Sequence, residues 1–251
     1  MKWFLFIMIA ITGLAAAVPI SEMKAEVYQK GGSKLPYRWV KTPGEDDPVL
    51  ILFLHGAGER GDDNKAQLKH GVPELLAWLE KEKKAAVVVA PQCQRGVWWT
   101  NFGGDFRSPE GITLKDKPST MMALVLEVTG QMIKNEKVDS KRVYVTGLSM
   151  GGFGSFAAVA RRPDLFAAAI PICGGGDPKT AEKMKKVPFQ IYHGDADKVV
   201  PQMASEVMVK ALRKAGAKVD FESYPGVGHN SWTKTYRNPK VWEWLFTQKR
   251  D

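Results

Sequence analysis

The sequence predicts an α/β protein whose mostly parallel sheet is covered by helices on both faces. Short apolar runs that stop at glycine or proline, some through a His-Gly step, alternate with amphipathic helical patterns from about residue 36 onwards. These runs are continuous and rich in β-branched residues, which is typical of strands buried on both faces. Regular alternation of strand and helix implies parallel strands joined by crossover helices.

Six of the apolar runs are predicted strands. They cover residues 49–54, 86–90, 143–146, 167–172, 189–192 and 219–224. Two extended stretches, near residues 26–29 and 37–41, predict an antiparallel start. Helices are predicted at residues 73–83, 118–137, 201–214 and 239–248, each with a proline near its first turn, where a missing N–H costs no hydrogen bond. No linker or repeat interrupts the pattern, so residues 18–251 are predicted to form one domain.

Composition narrows the classes of protein. With 44% hydrophobic residues, the 251-residue chain can bury a substantial core, which excludes a mainly disordered protein. Two cysteines are too few to stabilise a chain of this length by disulfides, which excludes a disulfide-scaffold protein. A mean hydropathy of −0.24 excludes a polytopic membrane protein. The net charge of +9 arises from basic residues interleaved with glutamates, which is typical of solvated helix faces, so nucleic acid is not an expected partner.

Residues 1–17 are predicted to be a secretory signal peptide. Lys2 precedes an apolar run of 14 residues, 4–17, that ends in three alanines. This is the order of a basic segment, an apolar segment and a small-residue cleavage site. The run falls short of the roughly 20 residues of a membrane span, and an uncleaved anchor is the alternative. We therefore expect a secreted or periplasmic protein with no stable membrane anchor after cleavage.

A Gly-x-Ser-x-Gly sequence, residues 147–151, places Ser149 between a predicted strand and a small, apolar helical run. Small flanking residues are needed where a nucleophile sits on a sharp strand-to-helix turn. The turn directs the Ser149 hydroxyl out of the carboxyl edge of the sheet and points the free N–H groups of the next helix at the reacting centre. A plain glycine-rich turn is the alternative interpretation.

A serine nucleophile needs a base, and the base needs a carboxylate. His229 lies in a glycine-rich loop after the last predicted strand, whereas His55 and His193 are expected to bond to nearby backbone at strand ends. Asp197 is the predicted carboxylate, since Asp195 is better placed to brace the turn. The order Ser149, Asp197, His229, with spacings of 48 and 32 residues, is typical of an α/β-hydrolase triad.

The negative charge that develops on the substrate oxygen needs backbone donors. The Met150 N–H, next to the nucleophile, is one candidate. The second is expected from the loop at residues 55–61, whose small residues allow close backbone approach. We predict Ala57 as this donor, in preference to Gly58.

These stretches together resemble the α/β-hydrolase superfamily, and more narrowly the secreted esterases grouped with phospholipase/carboxylesterases, polyhydroxybutyrate-depolymerase-like proteins and predicted peptidases of that fold. The resemblance is carried by residues 54–61, 90–93, 147–152, 170–175, 193–201 and 228–229. It implies an eight-stranded sheet and a nucleophilic serine mechanism without metal or cofactor. In that fold the strands ending at Cys93 and Cys173 are not neighbours, so both thiols are expected to be unpaired and mostly buried.

The expected substrate is a small-molecule or polysaccharide ester. Trp98 and Trp99 follow a strand end, and Trp232 lies three residues past His229, so these aromatics are candidate substrate contacts. With secretion, they suggest acetyl or feruloyl esters on polysaccharides; packing of an active-site loop is the alternative role. A peptidase or acyltransferase with the same three residues, and a non-catalytic carbohydrate-binding module, remain alternatives. The sequence does not predict the oligomeric state.

Overall fold

A computed structural model describes residues 20–251. The predicted signal peptide lies outside the described residues. The strands are β1 (Lys24–Lys30), β2 (Ser33–Thr42), β3 (Val49–Leu54), β4 (Ala86–Pro91), β5 (Phe102–Gly104), β6 (Ile112–Leu114), β7 (Val143–Leu148), β8 (Ala168–Ile172), β9 (Phe189–Gly194) and β10 (Val219–Tyr224). The helices are α1 (Val72–Lys81), α2 (Thr120–Asn135), α3 (Met150–Arg161), α4 (Ala181–Met184), α5 (Met203–Lys214), α6 (Trp232–Tyr236) and α7 (Pro239–Thr247).

Eight strands form one mixed sheet in the order β1-β2-β4-β3-β7-β8-β9-β10. The pairs β1–β2 and β2–β4 are antiparallel, and the other neighbours are parallel. The predicted α/β-hydrolase fold, with a mostly parallel sheet of eight strands and an antiparallel start, is therefore confirmed. Because β7, β9 and β10 are parallel, the segments that follow them meet at one edge of the sheet.

The continuous apolar runs are explained by a separate core on each face of the sheet. Along β3, Leu50 and Leu52 pack into the core formed with α2, α3 and α5. Ile51 and Phe53 point the opposite way, into the core formed with α1 and α7. A strand whose side chains alternate between two apolar faces must be apolar at every position.

Two of the four helix starts differ from the prediction. Pro73 and Pro239 lie in the first turns of α1 and α7, as expected. Pro118 instead lies before α2, where the Ser119 hydroxyl accepts the Met122 N–H at 3.0 Å and caps the helix. Pro201 likewise precedes α5. Among residues 20–251, no helix is both long enough and apolar enough to cross a bilayer.

A small hairpin that was not predicted lies between β4 and α2. It pairs the three-residue strands β5 and β6, with Phe102 opposite Leu114. Since it follows the carboxyl end of β4, it belongs to the same sheet edge as the segments after β7, β9 and β10.

Candidate active site

Ser149 lies at the sharp turn between β7 and α3. Its backbone has φ +52° and ψ −117°, a conformation that a residue with a Cβ rarely adopts. Two hydrogen bonds hold it: the Ser149 N–H donates to the Ile172 carbonyl at 2.9 Å, and the Phe153 N–H donates to the Ser149 carbonyl at 3.1 Å. Such strain persists where the surrounding structure over-determines it, and it concentrates at functional sites.

The glycines of the motif are required by close backbone contacts. A Cβ on Gly151 would lie 1.9 Å from the carbonyl oxygen of Leu54, and one on Gly147 would lie 2.5 Å from that of Gly151. The turn after β7 therefore packs directly on the end of β3. This contact sets the position of Ser149 relative to the loop that follows β3.

Three side chains predicted from the sequence meet at this turn. His229 Nε2 lies 2.9 Å from Ser149 Oγ, and His229 Nδ1 lies 2.7 Å from Asp197 Oδ2. Because an ionised carboxylate only accepts, Nδ1 carries the proton, and Nε2 is free to accept from the serine hydroxyl. The Asp197 side chain is fully buried, whereas that of His229 is 21% exposed and faces solvent over Ser149.

Asp197 is held ionised by hydrogen bonds. Burial alone would raise the pKa of this carboxyl group, but hydrogen bonds from His193, His229 and the amides of Val199 and Val200 hold it well below its usual range. The two amides donate to Oδ1 at 2.8 and 3.0 Å. The carboxylate is thus a fixed negative charge beneath the imidazole of His229.

His193 approaches the same carboxylate oxygen of Asp197 as His229 does, a contact that the sequence did not predict. Its Nε2 lies 2.8 Å from the Val200 carbonyl, as expected for a strand-end histidine, and also 3.3 Å from Asp197 Oδ2. Its Nδ1 lies 2.7 Å from Ser205 Oγ, which donates to the Gly174 carbonyl. The fully buried ring therefore ties the Asp197 loop to α5 and to the segment after β8.

His55 has the structural role that the sequence predicted. Its Nδ1 lies 2.6 Å from the Gly56 carbonyl, and its Nε2 accepts the Cys93 N–H at 2.9 Å. Burial lowers the pKa of His55 to about 4, so the ring is neutral at physiological pH. It joins the loop after β3 to the loop after β4.

The amides of Ala57 and Met150 are available as donors. Ala57 opens a short 3₁₀ turn after β3, and Met150 is the first residue of α3, whose amide has no intrahelical acceptor. Neither amide has an acceptor within the described part of the chain. The loop carrying Ala57 also packs against the turn, since a Cβ on Gly56 would lie 2.8 Å from Leu148 Cδ1. The oxyanion-binding role of both amides stays a prediction.

The chain's similarity to known proteins agrees with this geometry. Residues 113–241 match the dienelactone hydrolase family. The chain belongs to the dienelactone hydrolase family. It also resembles carboxylesterase SOBER1 of Arabidopsis thaliana, with 28% identity over 211 residues that cover 77% of this chain and 89% of that protein.

A solved structure of a thermostable esterase superposes with a TM-score of 0.81 and 35% identity, over 92% of this chain and 64% of that one. A bifunctional acetylxylan esterase/xylanase of Neocallimastix patriciarum is 32% identical over 164 residues, 65% of this chain and 21% of that protein. This dienelactone hydrolase family member therefore spans less than two thirds of the length of each of these two relatives. With the carboxylesterase similarity, these matches identify it as a carboxylic ester hydrolase of the α/β-hydrolase fold.

The three tryptophans predicted to contact substrate differ in their burial and in their ring contacts. Trp99 is fully buried and donates its indole N–H to the His55 carbonyl at 3.0 Å, so the prediction of a substrate contact is wrong for Trp99. Its ring packs edge-on against His55, on the core side of the loop. Trp98, the next residue back, is half-buried and packs its ring on Phe102 and Phe153. Trp232 is also half-buried, with its ring perpendicular to that of His229 at 5.4 Å between centroids.

Trp98 belongs to a cluster of four aromatic rings, an aromatic wall, that the sequence predicted only in part. We use this name for Trp98, Phe102, Phe106 and Phe153. Phe153 lies in the first turns of α3, four residues after Ser149, and the other three rings pack on it with centroids 5.4–6.2 Å away. The stretch 97–106 was expected to place aromatics near this edge of the sheet, but nothing in the sequence indicated that Phe153 would join them.

One group of donor atoms in the described residues has a spacing suited to a metal ion, namely Cys173, Asp197 and His229, within 4.8 Å of one another. Asp197 and His229 are hydrogen-bonded to each other. Burial raises the pKa of the Cys173 thiol to about 12. Asp197 and His229 of this group form the hydrogen-bond chain to Ser149.

Both thiols are free and buried, as predicted for Cys93 and Cys173. Burial raises the pKa of each to about 12, so neither forms appreciable thiolate at pH 8. We expect no thiol of the folded protein to react with an added aromatic disulfide reagent within minutes. After unfolding in guanidinium chloride without reductant, we expect both thiols to react. Colour development in folded and unfolded samples measures both values. A reactive thiol in the folded protein, or none in the unfolded one, would contradict the assignment.

Proposed function

We propose that this protein is a serine hydrolase acting outside the cytosol, which cleaves carboxylic esters through an acyl-enzyme intermediate. The observation that carries the proposal is the hydrogen-bond chain from Ser149 Oγ through His229 to Asp197, with contacts of 2.9 and 2.7 Å, starting from a serine in a strained turn. Extracytosolic action rests on the signal peptide predicted at residues 1–17.

The arrangement supports the following steps. Ser149 Oγ attacks the ester carbonyl carbon while its proton passes to His229 Nε2, which makes the ring an imidazolium whose charge Asp197 stabilises. The amides of Met150 and Ala57 donate to the oxygen that becomes negative. His229 then protonates the leaving alcohol as the C–O bond breaks. A water molecule attacks the acyl-serine by the same route in reverse, releasing the acid and restoring Ser149.

The aromatic wall supports a substrate proposal. The guanidinium of Arg107, in the hairpin loop, donates to the Val199 carbonyl at 3.1 Å and so fixes the hairpin to the Asp197 loop. Because Phe153 of the wall lies four residues after Ser149, we infer that the wall lines the approach to Ser149, where aromatic faces can stack on sugar rings or on aromatic acyl groups. With the similarity to an acetylxylan esterase, we propose acetyl or feruloyl esters on polysaccharides as the substrates, with Trp98 contributing to their binding.

The test is a panel of acetylated xylan, a feruloylated arabinoxylan oligosaccharide, poly(3-hydroxybutyrate) and p-nitrophenyl acetate. We expect release of acetate or ferulate, and in Trp98→Ala a KM for the favoured polysaccharide ester raised about tenfold, as for loss of one aromatic contact. Trp244→Ala, a half-buried tryptophan of α7, is the matched control and should keep the wild-type KM.

Two other results would redirect the proposal. Cleavage of p-nitrophenyl acetate without release from either polysaccharide would leave the serine chemistry in place and overturn the substrate. An active-site phosphonate that labels a residue other than Ser149, read by peptide mass spectrometry, would overturn the mechanism itself.

A further inference from the structure

A cleft lies at the edge of the sheet opposite to Ser149. It has a volume of about 660 Å³. Its lining includes Phe166 and Ala167, just before β8, Pro188, just before β9, and Lys218, just before β10. Since these strands are parallel, the cleft is at their amino ends, whereas Ser149, Asp197 and His229 follow carboxyl ends. The cleft is thus separate from the catalytic site.

The cleft is strongly basic. Its lining contains six basic side chains and two acidic ones, the latter being Asp164 and Asp251. The basic ones are Lys183, Lys185, Lys186, Lys218, Lys249 and Arg250. Asp164 is already paired with Arg162 at 2.7 Å. A concave surface with one sign of charge focuses the electrostatic field and attracts counter-ions.

Three of the five lysines in this lining have no acidic partner in the described part of the chain, whereas Lys185 pairs with Glu182 and Lys249 with Asp139. Lys183, Lys186 and Lys218 are exposed and form no ion pair with any of residues 20–251. The guanidinium of Arg250 donates to the Ser140 carbonyl at 3.2 Å, but its Nε is buried without an acceptor in the described structure. Cations gathered in one concavity repel one another, so an anion bound there relieves an unfavourable arrangement.

The shape and lining select among polyanions. A flat membrane surface cannot enter a cleft, and single-stranded nucleic acid is held by exposed aromatic rings on which bases stack. The single aromatic ring in this lining, Phe166, is fully buried. Prolines 163 and 188 and the lysine stems offer apolar surface to a sugar ring instead. We propose that this cleft binds a polysaccharide chain bearing carboxylates, such as a polyuronate, and tethers the protein to it.

The test measures binding of the full-length protein to polygalacturonate by titration calorimetry at low ionic strength. In Lys183→Gln/Lys186→Gln/Lys218→Gln, the dissociation constant should rise about tenfold, the effect of removing three solvent-screened ion contacts. Lys34→Gln/Lys81→Gln/Lys240→Gln carries the same charge change on exposed lysines outside the cleft, and its dissociation constant should stay within about twofold of wild type. Hydrolysis of p-nitrophenyl acetate should be equal in all three proteins.

The outcomes separate this proposal from that of the catalytic function. Equal weakening in both triple variants would mean that net charge alone binds the polymer, and no binding by the wild-type protein would exclude the site; either result overturns the proposal. Tighter binding of single-stranded DNA or of anionic phospholipid vesicles through the same lysines would overturn the polysaccharide assignment. Because calorimetry reports binding without turnover, an inactive enzyme would leave this result interpretable.

Discussion

Ser149→Ala is expected to lower kcat for ester hydrolysis by about 10⁶-fold, the scale of losing a serine nucleophile. The alanine cannot form the acyl-enzyme, and His229 Nε2 loses the hydroxyl that lies 2.9 Å from it. Initial rates with p-nitrophenyl acetate, and loss of the acyl-enzyme burst, measure the effect. Ser155→Ala is the matched control in the same helix: its buried hydroxyl donates to the Gly151 carbonyl, so its activity should stay within about tenfold of wild type.

The same position should show a difference in stability. Alanine keeps a Cβ at a backbone φ of +52°, whereas glycine adopts that conformation without steric cost. We expect the free energy of unfolding of Ser149→Gly to exceed that of Ser149→Ala by about 1 kcal/mol, with both variants inactive. Urea denaturation of the two provides the comparison. Equal stabilities would show that no strain is stored at the turn.

The elements that place Ser149 could be predicted because each carries a strong local signal. A strand buried on both faces must be apolar throughout, and β3 and β7 show this pattern. The glycines at 147 and 151 are required by contacts closer than a Cβ allows, which is why the motif is visible in the sequence. His229 was separable from His55 and His193 because it lies in a glycine-rich stretch rather than in a His-Gly step that ends a strand.

The features that escaped prediction depend on side-chain direction and on long-range contacts. Trp98 and Trp99 are chemically identical in the sequence, but Trp99 is fully buried and donates to the His55 carbonyl whereas Trp98 is half-buried, and only the fold shows which of the two is enclosed. The hairpin of β5 and β6 has three residues per strand, too few to show a period of two. The approach of His193 to Asp197 arises from the curl of the loop between them, which spacing alone does not determine.

Asp197→Asn should lower kcat by about 10⁴-fold while leaving the fold intact. The asparagine side chain can donate to His229 Nδ1, which would place the ring proton on Nε2 and leave no acceptor for the Ser149 hydroxyl. Asp195→Asn is the matched control. Asp195 accepts the Gly226 N–H at 2.7 Å and braces the turn, so its loss should change kcat by less than about tenfold. Equal losses in the two variants would overturn the choice of Asp197.

The pH dependence of stability gives an independent test of the same residue. Because the folded-state pKa of Asp197 lies below the roughly 3.9 expected in the unfolded chain, its ionised form stabilises the protein at neutral pH. That contribution is complete above the unfolded pKa and is lost as pH falls towards the folded one. The difference in unfolding free energy between wild type and Asp197→Asn should therefore be constant from pH 8 to pH 6 and shrink below pH 4. A difference that does not shrink in acid would mean that the carboxylate is not held ionised by its hydrogen bonds.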